Sequence, residues 1–175
     1  MLPNNQQITT LHNLLDYDAG KFVSAEIELQ KSLEHWISKA SSLKLKAVLQ
    51  RYLDFVNRQL QSMEEFFEKE DEIISMSITN KIMLAFIEDT DEKLSLCTDA
   101  EVKDACILAG VQAINHFKIS TYGTAAAFAD AIGMDEFATV FYEVEVKEKQ
   151  IDSRLSQLAN YEINAKAATP ISLPG

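Results

Sequence analysis

FATVFYEVEVKEKQIDSRLSQL, residues 137–158, is the stretch whose periodicity settles the fold class. Phe137, Phe141, Val144, Glu148, Ile151, Leu155 and Leu158 follow one another at alternating steps of four and three. That spacing places them along one seam of an amphipathic helix, predicted from about Asp135 to about Asn160. A glutamate, Glu148, interrupts the apolar seam, and Asp152 lies one turn further on an adjacent stripe.

Three more helices are read outward from this one. Leu11, Leu15, Phe22, Leu29, Leu33 and Trp36 predict a first helix over about 7–40, with Ser41 and Ser42 supplying a break and a cap. Leu45, Leu49, Tyr52, Val56, Leu60, Met63 and Phe67 predict a second, which ends in the charged run EKEDE. Thr98 and Glu101, at capping-box spacing, open a third that continues until Gly133 stops it. Residues 71–97 show only a short amphipathic piece, TNKIMLAFIEDTDEKL, so they form a long crossover carrying a short helix. The expected architecture is all-α: a four-helix bundle whose central connection travels its length, making the second and third helices parallel. Residues 1–165 form one domain, and 166–175 a flexible tail.

Composition narrows the function classes. A chain of 175 residues buries about 70% of its unfolded surface, enough for one hydrophobic core without a staple. A net charge of −11 and no evident run of Lys and Arg argue against nucleic acid and anionic membranes as partners. With no signal-like start and no apolar run near the ~20 residues that span a bilayer, a cytoplasmic location is expected. Cys97 and Cys106, read as nine residues of one helix apart, would sit about 13 Å from each other, which predicts no disulfide and no cysteine zinc site. Phosphate loops, nucleophile elbows, zincin motifs and EF-hand loops are absent from the sequence.

Ionisable residues at inward positions are the candidate site. Glu26 lies four after Phe22 and three before Leu29, and Glu148 bears the same relation to Val144 and Ile151. Lys118 falls among Val111, Ile114, Tyr122 and Ala125, with His116 on a neighbouring line. A buried carboxylate has to be paired, protonated or bound to metal. Two carboxylates at i and i+4 with a third from another helix would suit a metal ion. The plainer alternative has Glu26 and Asp152 reaching solvent, Glu148 pairing with Lys118, and His116 as a structural histidine.

The segments INHFKISTYGTAAAFADAIG (114–133), AEIELQKSLEHWISKASSLKLKAVLQRYL (25–53) and VEVKEKQIDSRLSQLA (144–159) resemble the ferritin-like YciE/YciF stress-protein family. The resemblance runs from about residue 11 to 160. It implies a ferritin-like four-helix bundle that forms homodimers and, in complete members, holds two metal ions between the helices. This chain departs from the family pattern at the ligands. Phe55 stands where the family has a helix-two glutamate, with Gln59 as the next polar position, and Asn115 and Lys118 replace two glutamates of the third helix. Glu26, His116, Glu148 and Asp152 remain. The resemblance thus implies a stress-associated or structural protein, not an enzyme, with a degenerate, metal-free site and Lys118 as internal counter-ion. Two alternatives stay open: an oxidase-like or metal-storage protein using Fe or Mn on the reduced ligand set, and a module that binds a small ligand or a partner helix.

Overall fold

The computed structural model describes residues 7–69 and 78–169. Its helices are α1 (Leu11–Ala19), α2 (Phe22–Lys39), α3 (Leu43–Lys69), α4 (Lys81–Leu96), α5 (Ala100–Ala131) and α6 (Asp135–Leu158), followed by one π-helical turn (Ala159–Ile163) and α7 (Asn164–Ala167). The bundle is α2, α3, α5 and α6, as the periodicities require. Helical structure runs beyond the expected end at Asn160. Of the expected tail, residues 170–175 lie outside the described residues, as does much of the EKEDE run.

Two boundaries differ from expectation. The first helix is broken at Gly20, whose amide donates to Asp16 O while Lys21 N–H returns to Asp18 O, before α2 restarts. The third helix is capped one residue later than Thr98: the Asp99 carboxylate accepts the Val102 amide at 3.0 Å, a stronger acceptor for the positive end of the helix. The far end of α5 is as read. Gly133 takes φ of +77°, and Met134 N–H returns to Ala129 O at 2.9 Å, a glycine-centred stop.

Side-chain levels fix the topology. Ser41 and Ser42 meet Asp104, Phe55 lies beside Lys118, and Met63 contacts Tyr122, so α3 and α5 run in the same direction. The crossover makes this possible by returning along α2: Ile78 N–H donates to Gly20 O at one end, and the indole of fully buried Trp36 donates to Asp91 at 2.7 Å near the other. Asp104, which the sequence reading did not single out, accepts the amides of Ser41 and Ser42 at 2.7 and 2.8 Å and pins the α2–α3 link to α5. Cys97 and Cys106 are both free. They lie on opposite sides of the α4–α5 link, not on one helix, so the spacing of about 13 Å expected for a continuous helix does not apply. Burial raises the Cys106 thiol pKa, and the adjacent Cys97 adds to the rise.

Close approach of α4 to α5 depends on Gly110. A Cβ there would fall 2.3 Å from Thr90 Oγ1, and the Thr90 hydroxyl is itself held by Phe86 O at 2.7 Å. Gly110→Ala is therefore expected to lose about 1–3 kcal/mol by overpacking, despite alanine's better helix propensity. Thermal melting of the variant checks this; an unchanged or higher midpoint would show that α4 yields freely. Among the described residues, no helix is long and apolar enough to cross a membrane.

Candidate functional site

The centre of the bundle holds two carboxylates and one ammonium. Glu26 on α2 and Glu148 on α6 are 0% exposed, and Lys118 on α5 is 1% exposed. Lys118 Nζ lies 2.8 Å from Glu26 Oε2, a hydrogen-bonded ion pair, and 2.5 Å from Glu148 Oε1. The second contact is a charge contact without hydrogen-bond geometry. Each helix delivers its group because the seam positions face inward.

Neutral donors satisfy the remaining oxygens. Tyr52 Oη donates to Glu148 Oε2 at 2.7 Å, and Asn115 Nδ2 donates to the same oxygen at 2.7 Å and to the Glu148 backbone carbonyl at 3.0 Å. Tyr122 Oη donates to Glu26 Oε1 at 2.8 Å and also touches Met63 Sδ at 3.5 Å. Phe22 packs on Tyr122 with ring centroids 4.3 Å apart, and Phe141 meets Phe22 edge-on at 5.4 Å, sealing this side with aromatic surface. The Tyr52 and Phe55 rings lie 5.2 and 5.7 Å from the ammonium, so their negative faces contribute weakly to holding it.

Burial and charge act against each other on these groups. For Lys118, burial pulls the pKa down, but the charges of Glu148 and Glu26 outweigh it and leave the ammonium above its ordinary value. Burial raises Glu148 above the usual carboxylate range, with Glu26 adding and Lys118 subtracting. Tyr52 is pushed far up by burial and then by Glu148, and Tyr122 by burial and then by Glu26. At neutral pH both tyrosines are donors and the lysine is charged.

The structure divides the sequence candidates in two. Glu26, Lys118, Glu148 and Asn115 come together, with Phe55 half-buried against them. His116 and Asp152 form a separate pair, Nε2 to Oδ1 3.0 Å, with side chains 65% and 27% exposed. Gln59, half-buried a turn along α3, takes no part in the cluster. Glu26 does not reach solvent, contrary to the plainer alternative, whereas Glu148 does pair with Lys118. Sequence reasoning missed Tyr52 and Tyr122 by counting them as core. Their signal was available: a buried phenol needs a hydrogen-bond partner, and each sits on an inward stripe facing a helix with an inward glutamate.

A dinuclear site in such a bundle draws Glu from two helices and a Glu-x-x-His pair from the other two. Here an ammonium fills the space between the two glutamates, with an amide, Asn115, on one of them and the phenyl ring of Phe55 beside the ammonium. Among the described residues, no three His, Cys, Asp or Glu side chains converge as metal ligands. The donor set fits an internal ion triad and does not fit a pair of cations. Two buried oxygens in it have no hydrogen-bond partner among the described residues: Glu148 Oε1, which faces the Lys118 charge, and Asn115 Oδ1.

Comparison with known proteins agrees with the architecture. A family model described as a domain of unknown function, DUF892, matches residues 10–168. Protein YciF of Escherichia coli (strain K12) is 28% identical over 144 residues, 82% of this chain and 87% of YciF. The crystal structure of the Escherichia coli stress protein YciF superposes with a TM-score of 0.82 at 26% identity, covering 93% of this chain and 100% of that one. YcfI from Rhodopseudomonas palustris, provisionally described as a structural protein, also gives 0.82 at 26% identity, over 87% of this chain and 96% of its own. A match spanning nearly the whole chain, with likeness to YciF in both sequence and fold, means that the chain belongs to the DUF892 family of YciF-like proteins.

Proposed function

We propose that this chain is a stress-associated or structural protein of the YciF kind that acts in the cytoplasm as a homodimer, with no metal cofactor and no catalytic step of its own. One observation carries the reading: Lys118 Nζ stands 2.8 Å from Glu26 and 2.5 Å from Glu148, where a metal-binding relative would need carboxylates turned toward a cation. An ammonium in that place repels a metal ion and gives the acids the positive charge they need. In this reading the bundle is locked by its own side chains, and its surface carries the function. The relatives support this at a coarser level, one being a stress protein and another provisionally structural. The reduced metal site is disfavoured because it would have to recruit His116, which faces solvent beside Asp152.

Elemental analysis of the purified protein, with and without added Fe, Mn or Zn, tests the reading. The wild type is expected to hold far less than one ion per chain, and Lys118→Glu to take up iron or manganese stoichiometrically. Wild-type protein that retains a stoichiometric metal, and loses it in Glu148→Gln, would overturn the proposal. Light scattering showing a monomer at micromolar concentration would remove the dimer.

A further inference from the structure

All three arginines of the chain, Arg51, Arg58 and Arg154, line a single groove between α3 and α6, together with Lys147. The chain has a net charge of −11, so gathering every guanidinium in one place runs against its overall composition. The four cations are exposed, and none forms an ion pair or hydrogen bond with any described residue. Among the described residues seven lysines elsewhere, such as Lys93 beside Asp89 and Lys149 beside Glu145, hold acids within 4.0 Å. The lone acid of the lining, Asp54, accepts from Gln50 at 3.0 Å.

The two walls repeat one pattern. Arg51, Phe55 and Arg58 occupy positions i, i+4 and i+7 of α3, and Lys147, Ile151 and Arg154 occupy the same positions of α6. Each helix therefore presents a cation at both ends of a patch with an apolar residue in the middle. The helices are antiparallel, since Lys44 meets Glu162, Tyr52 meets Glu148 and Phe66 meets Phe137. That register levels Arg51 with Arg154 and Arg58 with Lys147, so like charges face each other at each end of an apolar floor. Facing cations repel unless an anion lies between them. The groove encloses about 250 Å³, just under the ~300–1,000 Å³ of ordinary small-ligand sites.

We propose that this groove binds a small organic anion: a carboxylate or phosphate head held by the arginine forks, on a flat apolar body that lies on Tyr52, Phe55 and Ile151. Guanidinium groups suit either head because their paired N–H donors match two oxygens at once. The volume limits the body to about one aromatic ring or a short acyl chain. This site is separate from the ion triad, with the Tyr52 and Phe55 rings between groove and ammonium. It therefore stands whether or not the triad excludes metal.

Calorimetric titration of the full chain with phenyl phosphate, benzoate and inorganic phosphate tests it. At least one aryl anion is expected to bind one per chain and at least about tenfold more tightly than inorganic phosphate; which one prefers the groove separates the phosphate from the carboxylate head. Arg51→Gln and Arg154→Gln should each weaken that binding about tenfold, the effect of losing a charge-assisted pair of hydrogen bonds, and Arg51→Lys by less. Lys149→Gln, outside the groove, should leave it unchanged, and circular dichroism confirms that the variants are folded. The proposal is overturned if no aryl anion saturates, if inorganic phosphate binds as well, or if Lys149→Gln weakens binding as much as the arginine variants. It is equally overturned if Arg51→Gln halves the mass in light scattering without any aryl anion binding, which would make the groove a contact between copies.

Discussion

Lys118→Met is expected to lose about 3–5 kcal/mol of unfolding free energy, a large part of the ~5–15 kcal/mol typical of a whole domain. The methionine fills nearly the same volume, so the loss is electrostatic. Glu26 and Glu148 would be left fully buried with hydroxyl and amide donors but no positive charge. The deficit has a pH signature. Without the ammonium that lowers it, the folded Glu148 pKa rises further above the unfolded value of about 4.3, so the folded state binds more protons than the unfolded one. Stability then falls as pH rises from that unfolded value through the folded pKa, and the deficit against wild type shrinks on acidification. Urea midpoints at pH 5 and pH 8 read both effects. Removing all three charges, as Glu26→Gln with Lys118→Met and Glu148→Gln, should recover most of the loss, because the uncompensated charge and not the altered packing is what costs stability. A Lys118→Met protein as stable as wild type at pH 8 would mean that the triad is neutral.

The second large effect is alkaline. Lys118 has a raised folded pKa, so its contribution is fully present below the unfolded value of about 10.4 and disappears as pH climbs through the folded one. Tyr52 and Tyr122 act in the same direction. Both are held far above about 10 in the folded protein, first by burial and then by Glu148 and Glu26 respectively, whereas the unfolded chain ionises them near 10. Above that pH the unfolded state releases protons that the folded state keeps, and stability falls. Stability should therefore vary little between about pH 7 and 9, then drop steeply, with loss of helical ellipticity accompanied by the part of the phenolate absorbance that belongs to the buried Tyr52 and Tyr122. In Tyr52→Phe with Tyr122→Phe the drop should be shallower and the neutral-pH stability lower, since each glutamate loses a donor. Phenolate absorbance that belongs to Tyr52 and Tyr122, identified by its loss in the double variant, appearing while helical ellipticity is intact would show that these phenols are not sealed.

How much of this could be read in the residues varies with the kind of signal. Seam periodicity identified α3 and α6 because Val56, Phe141 and Leu155 recur at helical spacing and are all fully buried. It could not locate the break at Gly20, which depends on local backbone hydrogen bonds within an otherwise continuous stripe. Glu26, Lys118 and Glu148 were legible because each breaks an apolar line. His116 and Asp152 were assigned to the same group only because a helical wheel fixes a direction to within about a third of a turn, and the pair falls on the solvent side of that margin. Tyr52 and Tyr122 were hidden by their dual nature, since a phenol counts as apolar in a pattern and as a donor in a site. The groove escaped for a different reason. Its cations are seven residues apart on each of two helices, so no local run of Lys and Arg appears until α3 and α6 are set side by side.

The parallel arrangement of α3 and α5, made by a crossover that returns along α2, has a consequence for the order of folding. The α2–α3 and α5–α6 hairpins each close over a short link and can form from local contacts, early and independently. The ion triad takes Glu26 from the first hairpin and Lys118 and Glu148 from the second, so it cannot assemble until the halves dock. Interactions that form after the rate-limiting barrier govern how fast a protein opens rather than how fast it folds. The Lys118–Glu26 pair, the contact of the triad that spans the two halves, is thus expected to latch the finished bundle, with Lys118→Met opening faster than wild type and changing less in its speed of folding.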